Sequence, residues 1–348
     1  MHIGIIGAGD MGILYAKKLS HEGYDVCICD LPGNANRIKQ EIGDSKIEIF
    51  DDGREVSRKS DYVIYSVETE NIHEAVKKYG PSTKYGAIVG GQTSVKTPDI
   101  EAFKKYLPSD TNIVTMHSLH SPNTGTEGQK LAVIRHRSGD TAYGNAIGVL
   151  NNLGSYIVEI DSYENHDKIS ADTQCVTHLG FESMGTAWKN AGIYPWDEGS
   201  YSSPIDNVKI MMMLRILSGK PHVYGGLAMF NPYTKKQTKQ YASSTSEFFK
   251  DIIINDKKKF SEKVRVAKEY IFSKIQEPIL NDEIMKRHCI NGKSEKPNSH
   301  LSLFAMADAW LNMGMNPYDN RMFETPPFKM RLGIVEYLFS DDNLIENQ

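Results

Sequence analysis

The chain has 348 residues and a formal net charge of −4, with 24% charged and 40% hydrophobic residues. That length exceeds the roughly 250–300 residues at which one hydrophobic core stops growing, so two domains are expected. The mildly acidic balance has no basic tail and argues against nucleic acid or an anionic membrane as partner. "HIGII" (2–6) is short and nearly all apolar, as a central parallel strand should be. "DMGILYAKKLSHEG" has helical periodicity and ends at Gly23, a C-terminal cap. "DVCICD" is a second strand. Strand-like runs follow at "DYVIYSV" (61–67), "GAIVGG" (86–91), "NIVTM" (112–116), "LAVIRH" (131–136) and "SYIVEI" (155–160), with helical "NIHEAVKKYG" and "TPDIEAFKKYLP" between them. Alternation of strand and helix over about 150 residues predicts an α/β fold, a doubly wound parallel sheet of the Rossmann type.

After Asp161 the pattern becomes helical. "SYENHDKISADTQCVTHLGFESMGTAWKNAG" is one long helical stretch, and "DNVKIMMMLRILSG", "TSEFFKDIII", "DKKKFSEKVRVAKEYIFSKI" and "SHLSLFAMADAWLNMG" also read as helices. The expected organisation is a dinucleotide-binding domain over 1–162 and an all-helical domain over 163–348, serving substrate binding and dimerisation. "NGKSEKPNS" (291–299) is the one loop polar enough to be mobile. "VKIMMMLRIL" is too short for a transmembrane span and carries an arginine. The first apolar run reads as a strand and glycine loop, not a signal peptide. Cys27 and Cys29 lie on one face of a strand, poorly placed to bond each other; with Cys175 and Cys289 they fit free thiols in a reducing cytosol.

Gly7, Gly9 and Gly12 form G-x-G-x-x-G between the first strand and the first helix. The first glycine permits a tight turn, the second lets backbone approach a pyrophosphate, and the third allows close helix–strand packing. Asp30 ends the second strand, where a ribose-binding acid belongs. With Asp10 and Met11 inside the loop, and Ser66 after "DYVIY", these residues are the candidate cofactor-binding set. An acid at Asp30 favours the 2′-hydroxyl of NAD over the 2′-phosphate of NADP, and "DLPGNANR" has no arginine before Arg37.

"MHSLHSP" (116–122) follows a strand, and so does "VGGQTSVK" (89–96), so Ser94, Lys96 and His117 are expected toward the nicotinamide end. A histidine there suits proton removal from a hydroxyl as hydride leaves its carbon, with Ser94 or Ser118 fixing its tautomer. Its rate limb is expected near the unperturbed histidine value of about 6.5. A turn or capping role is the bland alternative for His117 and the favoured one for His120. A zinc H-x-x-H pair lacks an obvious third ligand, so no metal is expected. On the long helix Asp167, Ala171, Gln174 and His178 share a polar face, either solvated or turned to a cleft. Arg215 sits in an all-round apolar helix expected to be buried, so its partner is an internal acid or a substrate carboxylate.

"IGIIGAGDMG", "SDYVIYSVE", "YGPS", "IVGGQTS", "MHSLHSP", "TEGQ", "HDKISADTQCVTH", "YPW", "LRI", "HVY", "PNSHLSL" and "EYLF" together resemble the fungal-type prephenate dehydrogenases, to about residue 339. The resemblance implies oxidative decarboxylation of prephenate to 4-hydroxyphenylpyruvate in tyrosine biosynthesis, with NADP as the usual cofactor and NAD possible through Asp30. It implies His117 as the base on the 4-hydroxyl, Ser94 as the serine orienting it, and His178, Gln174 and Arg215 as substrate-binding residues, Arg215 on a carboxylate. It further implies a cytoplasmic homodimer. Arogenate dehydrogenase is the alternative within the enzyme class, and a non-catalytic NAD(P)-sensing protein is the alternative outside it.

Overall fold

The computed structural model describes residues 1–43, 45–192, 194, 204–275, 278–287 and 300–340. The polar loop at 291–299 lies outside the described residues. Two compact units emerge, one of Met1–Lys168 with Phe230–Pro232, the other of Ile169–Met229 with Tyr233–Gln348.

In the first unit the elements run β1 (His2–Ile6), α1 (Asp10–His21), β2 (Asp25–Cys29), α2 (Ala35–Ile42), β3 (Glu48–Ile49), α3 (Gly53–Lys59), β4 (Tyr62–Tyr65), α4 (Ile72–Tyr79), β5 (Ile88–Gly91), α5 (Lys96–Tyr106), β6 (Asn112–Ser118), β7 (Lys130–Arg137), α6 (Asp140–Asn151) and β8 (Tyr156–Ile160). They form an eight-stranded sheet in the order β3-β2-β1-β4-β5-β6-β7-β8. All pairings are parallel except β6–β7, which is antiparallel. This corrects the expectation of a wholly parallel sheet. The link from β6 to β7 contains only a short turn at Pro122–Thr124, without the crossover helix that a parallel return needs.

Period-2 alternation gives each face its own core. Ile3, Ile5, Val26, Ile28 and Ile64 pack with α1 and α6, whereas Cys27, Cys29, Val63 and Tyr65 pack with α3, α4 and α5. Full burial of each large side chain stabilises by about 1.5–3 kcal/mol. The faces are therefore strongly specified, because a one-residue slip would invert them. Cys27, Cys29 and Cys175 are free thiols.

α7 (Tyr163–Ala191) runs for 29 residues, and the compact units part within it, between Lys168 and Ile169. The expected break after residue 162 falls just before this helix. Its first turns belong with the sheet because His166 and Asp167 are bonded there, and Asn231 Nδ2 donates to Asp167 O at 2.8 Å.

The second unit continues with α8 (Pro204–Leu217), α9 (Pro221–Phe230), α10 (Thr234–Ile253), α11 (Lys257–Phe272), α12 (Asp282–Lys286), α13 (Leu301–Asn312) and α14 (Pro326–Ser340). Its core joins Phe181, Val208, Phe248, Phe304, Trp310 and Phe339. Phe304 meets Phe260 and Phe339 edge-on at 5.9 and 5.5 Å, a favoured arrangement of aromatic quadrupoles. No helix among the described residues is long and apolar enough to cross a membrane.

Candidate active site

The glycine loop has one open side and two closed ones. Gly7 has φ +104°, and a Cβ there would lie 2.2 Å from Ser66 O. A Cβ on Gly12 would lie 2.1 Å from Gly7 O, whereas one on Gly9 would meet nothing within 4 Å. Gly7 and Gly12 are thus demanded by conformation and packing, while Gly9 leaves the approach that a pyrophosphate needs. α1 begins at Asp10 with Gly9 as N-cap and no side-chain cap, so its first-turn N–H groups favour an anion. Ser66 donates its N–H to Ile6 O at 2.7 Å and backs this loop; Met11 is half-buried beside it.

Asp30 is more engaged than its sequence position suggests. Its Oδ2 accepts from Ala8 N at 3.0 Å and Arg37 Nη2 at 3.1 Å, and its Oδ1 accepts from Leu31 N at 2.6 Å. Arg37 Nη2 also donates to Ala8 O at 2.9 Å. The reading of Asp30 as an unaccompanied ribose acid is therefore corrected. α2 carries Arg37 back onto the loop, so a guanidinium accompanies the carboxylate.

His117 lies in β6, opposite Ala132 of β7, and is 7% exposed. Its Nδ1 is 3.0 Å from His166 Nε2, and His166 Nδ1 is 2.8 Å from Asp167 Oδ1. Asp167 in turn accepts from Lys96 N at 2.7 Å, Thr97 N at 2.8 Å and Thr97 Oγ1 at 2.7 Å, at the start of α5. Burial lowers the His117 pKa well below the usual histidine value, reinforced by His166, Lys96 and His120. Burial also lowers that of His166, against the opposing pull of Asp167. Burial opposes charge on Asp167, but the hydrogen bonds from His166, Lys96 N and Thr97 hold its carboxyl below the ordinary range. The expectation of a His117 limb near 6.5 is corrected downward.

Neither expected serine touches the ring by hydrogen bond. Ser94, half-buried between β5 and α5, hydrogen-bonds no described residue, and Ser118 Oγ pairs with Tyr15 Oη at 2.8 Å. Lys96 does not reach toward a ligand either. Its ammonium is fully buried beside Asp99 Oδ2 (2.7 Å), donating to Gly91 O (3.0 Å) and Met116 O (2.7 Å). It ties together the carboxyl ends of β5 and β6. His120 turns its Nδ1 to Ser121 O at 3.0 Å, a local turn contact. No group of three or more metal-ligating side chains is found among the described residues.

Over 99% of its length the chain is 45% identical to the protein of Saccharomyces cerevisiae named prephenate dehydrogenase (NADP+), covering 78% of that protein. It is 41% identical, over 99% of its length, to the probable prephenate dehydrogenase (NADP+) of Schizosaccharomyces pombe, covering 82% of it. The chain belongs to the prephenate dehydrogenase family. Its residues 175–348 match the family described as a 6-phosphogluconate dehydrogenase C-terminal domain, and residues 2–89 match NADP oxidoreductase coenzyme F420-dependent. The crystal structure of Aquifex aeolicus prephenate dehydrogenase with hydroxyphenyl propionate and NAD+ shares the fold, at TM-score 0.59 and 17% identity over 77% of this chain and 96% of that one.

In this member of the prephenate dehydrogenase family the three expected substrate residues lie in the helical unit. Gln174 and His178 are half-buried on α7, and burial, with the nearby Arg331 cation, lowers the His178 pKa well below its usual value. Arg331 on α14 is 5% exposed, a buried guanidinium in an element that sequence periodicity did not single out. Arg215 is exposed, and no described acid pairs with it. The buried helix expected around it is corrected: α8 turns Met211, Leu214 and Leu217 outward, at 39%, 46% and 60% exposure.

Proposed function

We propose that this chain oxidises prephenate to 4-hydroxyphenylpyruvate and CO2 with NADP+, His117 accepting the proton of the 4-hydroxyl. The observation that carries this reading is a neutral, buried histidine at the carboxyl end of β6, in a chain of the prephenate dehydrogenase family. When bound, the nicotinamide takes the hydride from ring carbon 4. Gly7, Gly9, Asp10, Met11, Gly12 and Ser66 form the loop that holds the dinucleotide, and aromatisation supplies the drive once the hydroxyl is deprotonated. The test is the absorbance of reduced nicotinamide with purified protein, NADP+, and prephenate or arogenate side by side. Turnover confined to arogenate, or absent with both despite cofactor binding, would sink the reading.

Arg37 supports NADP+ over NAD+. It offers a guanidinium beside Asp30, at the end of the loop where an adenosine ribose carries its 2′-phosphate. Arg37→Ala is expected to weaken NADP+ about 10- to 100-fold, the loss of one charge-assisted contact of roughly 1.5–3 kcal/mol, with little effect on NAD+. A binding titration of each oxidised cofactor measures this without turnover, and an unchanged ratio removes Arg37 from the role.

For the substrate, Arg215 is the proposed carboxylate partner, with His178 and Gln174 on the same unit. Arg215→Ala should raise KM for prephenate about 10- to 100-fold and leave cofactor affinity intact, and lysine should rescue only partly because it lacks the planar fork. The exposure of Arg215 means its removal should leave the unfolding midpoint unchanged. A normal KM in the alanine variant transfers the role, with Arg331 the next to vary. The outward apolar residues of α8, with Ile252, Ile253 and Ile254 at the end of α10, favour a homodimer formed through the helical unit. A single-chain mass by sedimentation would exclude it. A cytoplasmic location accords with the free thiols of Cys27, Cys29 and Cys175.

A further inference from the structure

We propose that His166 and Asp167 are positioning residues that fix His117 in the tautomer with its proton on Nδ1, leaving Nε2 as the proton-accepting atom. The inference rests on the reading of His117 as the base, and it follows from counting donors and acceptors along a buried chain.

Asp167 fixes the polarity. An ionised carboxylate can only accept, and it has about four lone-pair sites. Oδ1 takes Lys96 N and His166 Nδ1; Oδ2 takes Thr97 N and Thr97 Oγ1. Both side chains, His166 and Asp167, are fully buried, so water does not compete for these sites. His166 must therefore carry its proton on Nδ1. Held neutral by burial, it presents a bare lone pair at Nε2, 3.0 Å from His117 Nδ1. The only hydrogen bond possible across that gap has His117 Nδ1–H donating. A neutral His117 then has its lone pair on Nε2.

The same chain serves the ring after proton uptake. Once Nε2 takes the hydroxyl proton, His117 is an imidazolium whose Nδ1–H still donates to His166, and His166 still donates to the Asp167 carboxylate. The new charge is thus met by a dipole and an anion already in place, with no side chain moving. This assigns to His166 and Asp167 the orienting work expected of Ser94. His136 and Tyr163 stack nearby as another ring pair, but the chain from Asp167 to His117 does not include them.

Selective 15N labelling of the histidines, 11 in all, reads the tautomer in the unaltered protein, with His117 assigned by its loss in His117→Asn. A protonated Nδ1 and bare Nε2 are expected at neutral pH; a protonated Nε2 would overturn the proposal whatever the activity. As the kinetic arm, His166→Ala should lower kcat about 10- to 100-fold, as misorientation of a reacting group does, with KM for prephenate within about threefold. Added imidazole should restore part of the rate by occupying the vacated ring site. An unchanged kcat, or a loss with no imidazole rescue, counts against the proposal. If the unaltered protein turned over no prephenate, the functional reading would fail, while the 15N spectrum would still decide the tautomer.

Discussion

His117→Asn is expected to lower kcat about 10²- to 10⁴-fold while prephenate and NADP+ still bind, the usual worth of a general base. Asparagine keeps a polar side chain in β6 but has no titratable nitrogen, so binding and proton transfer separate. In the unaltered protein, kcat/KM should fall with acid, because only the neutral imidazole accepts a proton. Burial, then His166, Lys96 and His120, lower the pKa of His117, so that limb belongs well below the usual 6.5. The sign is definite: a depressed pKa keeps the base neutral as pH falls through 6.5, and activity is lost only further down. The Asp167 carboxylate, one ring away, works in the opposite direction through His166 but does not outweigh burial. In His117→Asn the acidic limb should vanish. His120→Asn is the control, with a loss of at most about tenfold. A variant at 117 that keeps its rate and its limb would move the base elsewhere, with His178 the next candidate.

Lys96→Met should lower unfolding stability by about 3–5 kcal/mol, read as a shift in the urea midpoint at constant m-value. Methionine replaces the stem of the lysine but not its charge. Asp99 would then stay buried at 0% exposure with only Thr93 Oγ1 (2.5 Å) and Thr115 Oγ1 (3.3 Å) as side-chain donors, and the carbonyls of Gly91 and Met116 would lose theirs. An uncompensated buried carboxylate dominates the cost, not the lost attraction itself. Removing it as well, in Lys96→Met with Asp99→Leu, should recover a large part of the stability. A single variant as stable as the parent would mean that Asp99 finds another cation or is protonated without penalty.

Much of the sheet unit was legible because its signals are local. β1, the glycine loop and α1 are contiguous, and each residue there answers to a steric or hydrogen-bonding demand of its neighbours. β3 has two residues at the sheet edge and left no periodic trace. The direction of β7 was readable in principle, since nothing between "HSP" and "KLAVIRHR" is long enough for a crossover helix. Arg37 was passed over because it stands seven residues beyond Asp30, and only the geometry of α2 brings them together. His166 lies 49 residues from His117, so no spacing rule could pair them, although "HD" at the start of a long helix was on view. The apolar run around Arg215 misled for the reverse reason: composition alone does not distinguish a helix buried in a core from one with an outward apolar stripe.

The placement of Asp167 also bears on how the amides of this protein exchange with solvent. The first N–H groups of a helix have no carbonyl four residues back, and at an ordinary helix start they exchange with little protection. At α5 the N–H groups of Lys96 and Thr97 are held by a carboxylate 71 and 70 residues further along the chain. Their protection is therefore not a property of α5. It measures how often the first turn of α7 lets go of the sheet, and those two amides report on a helix to which neither belongs.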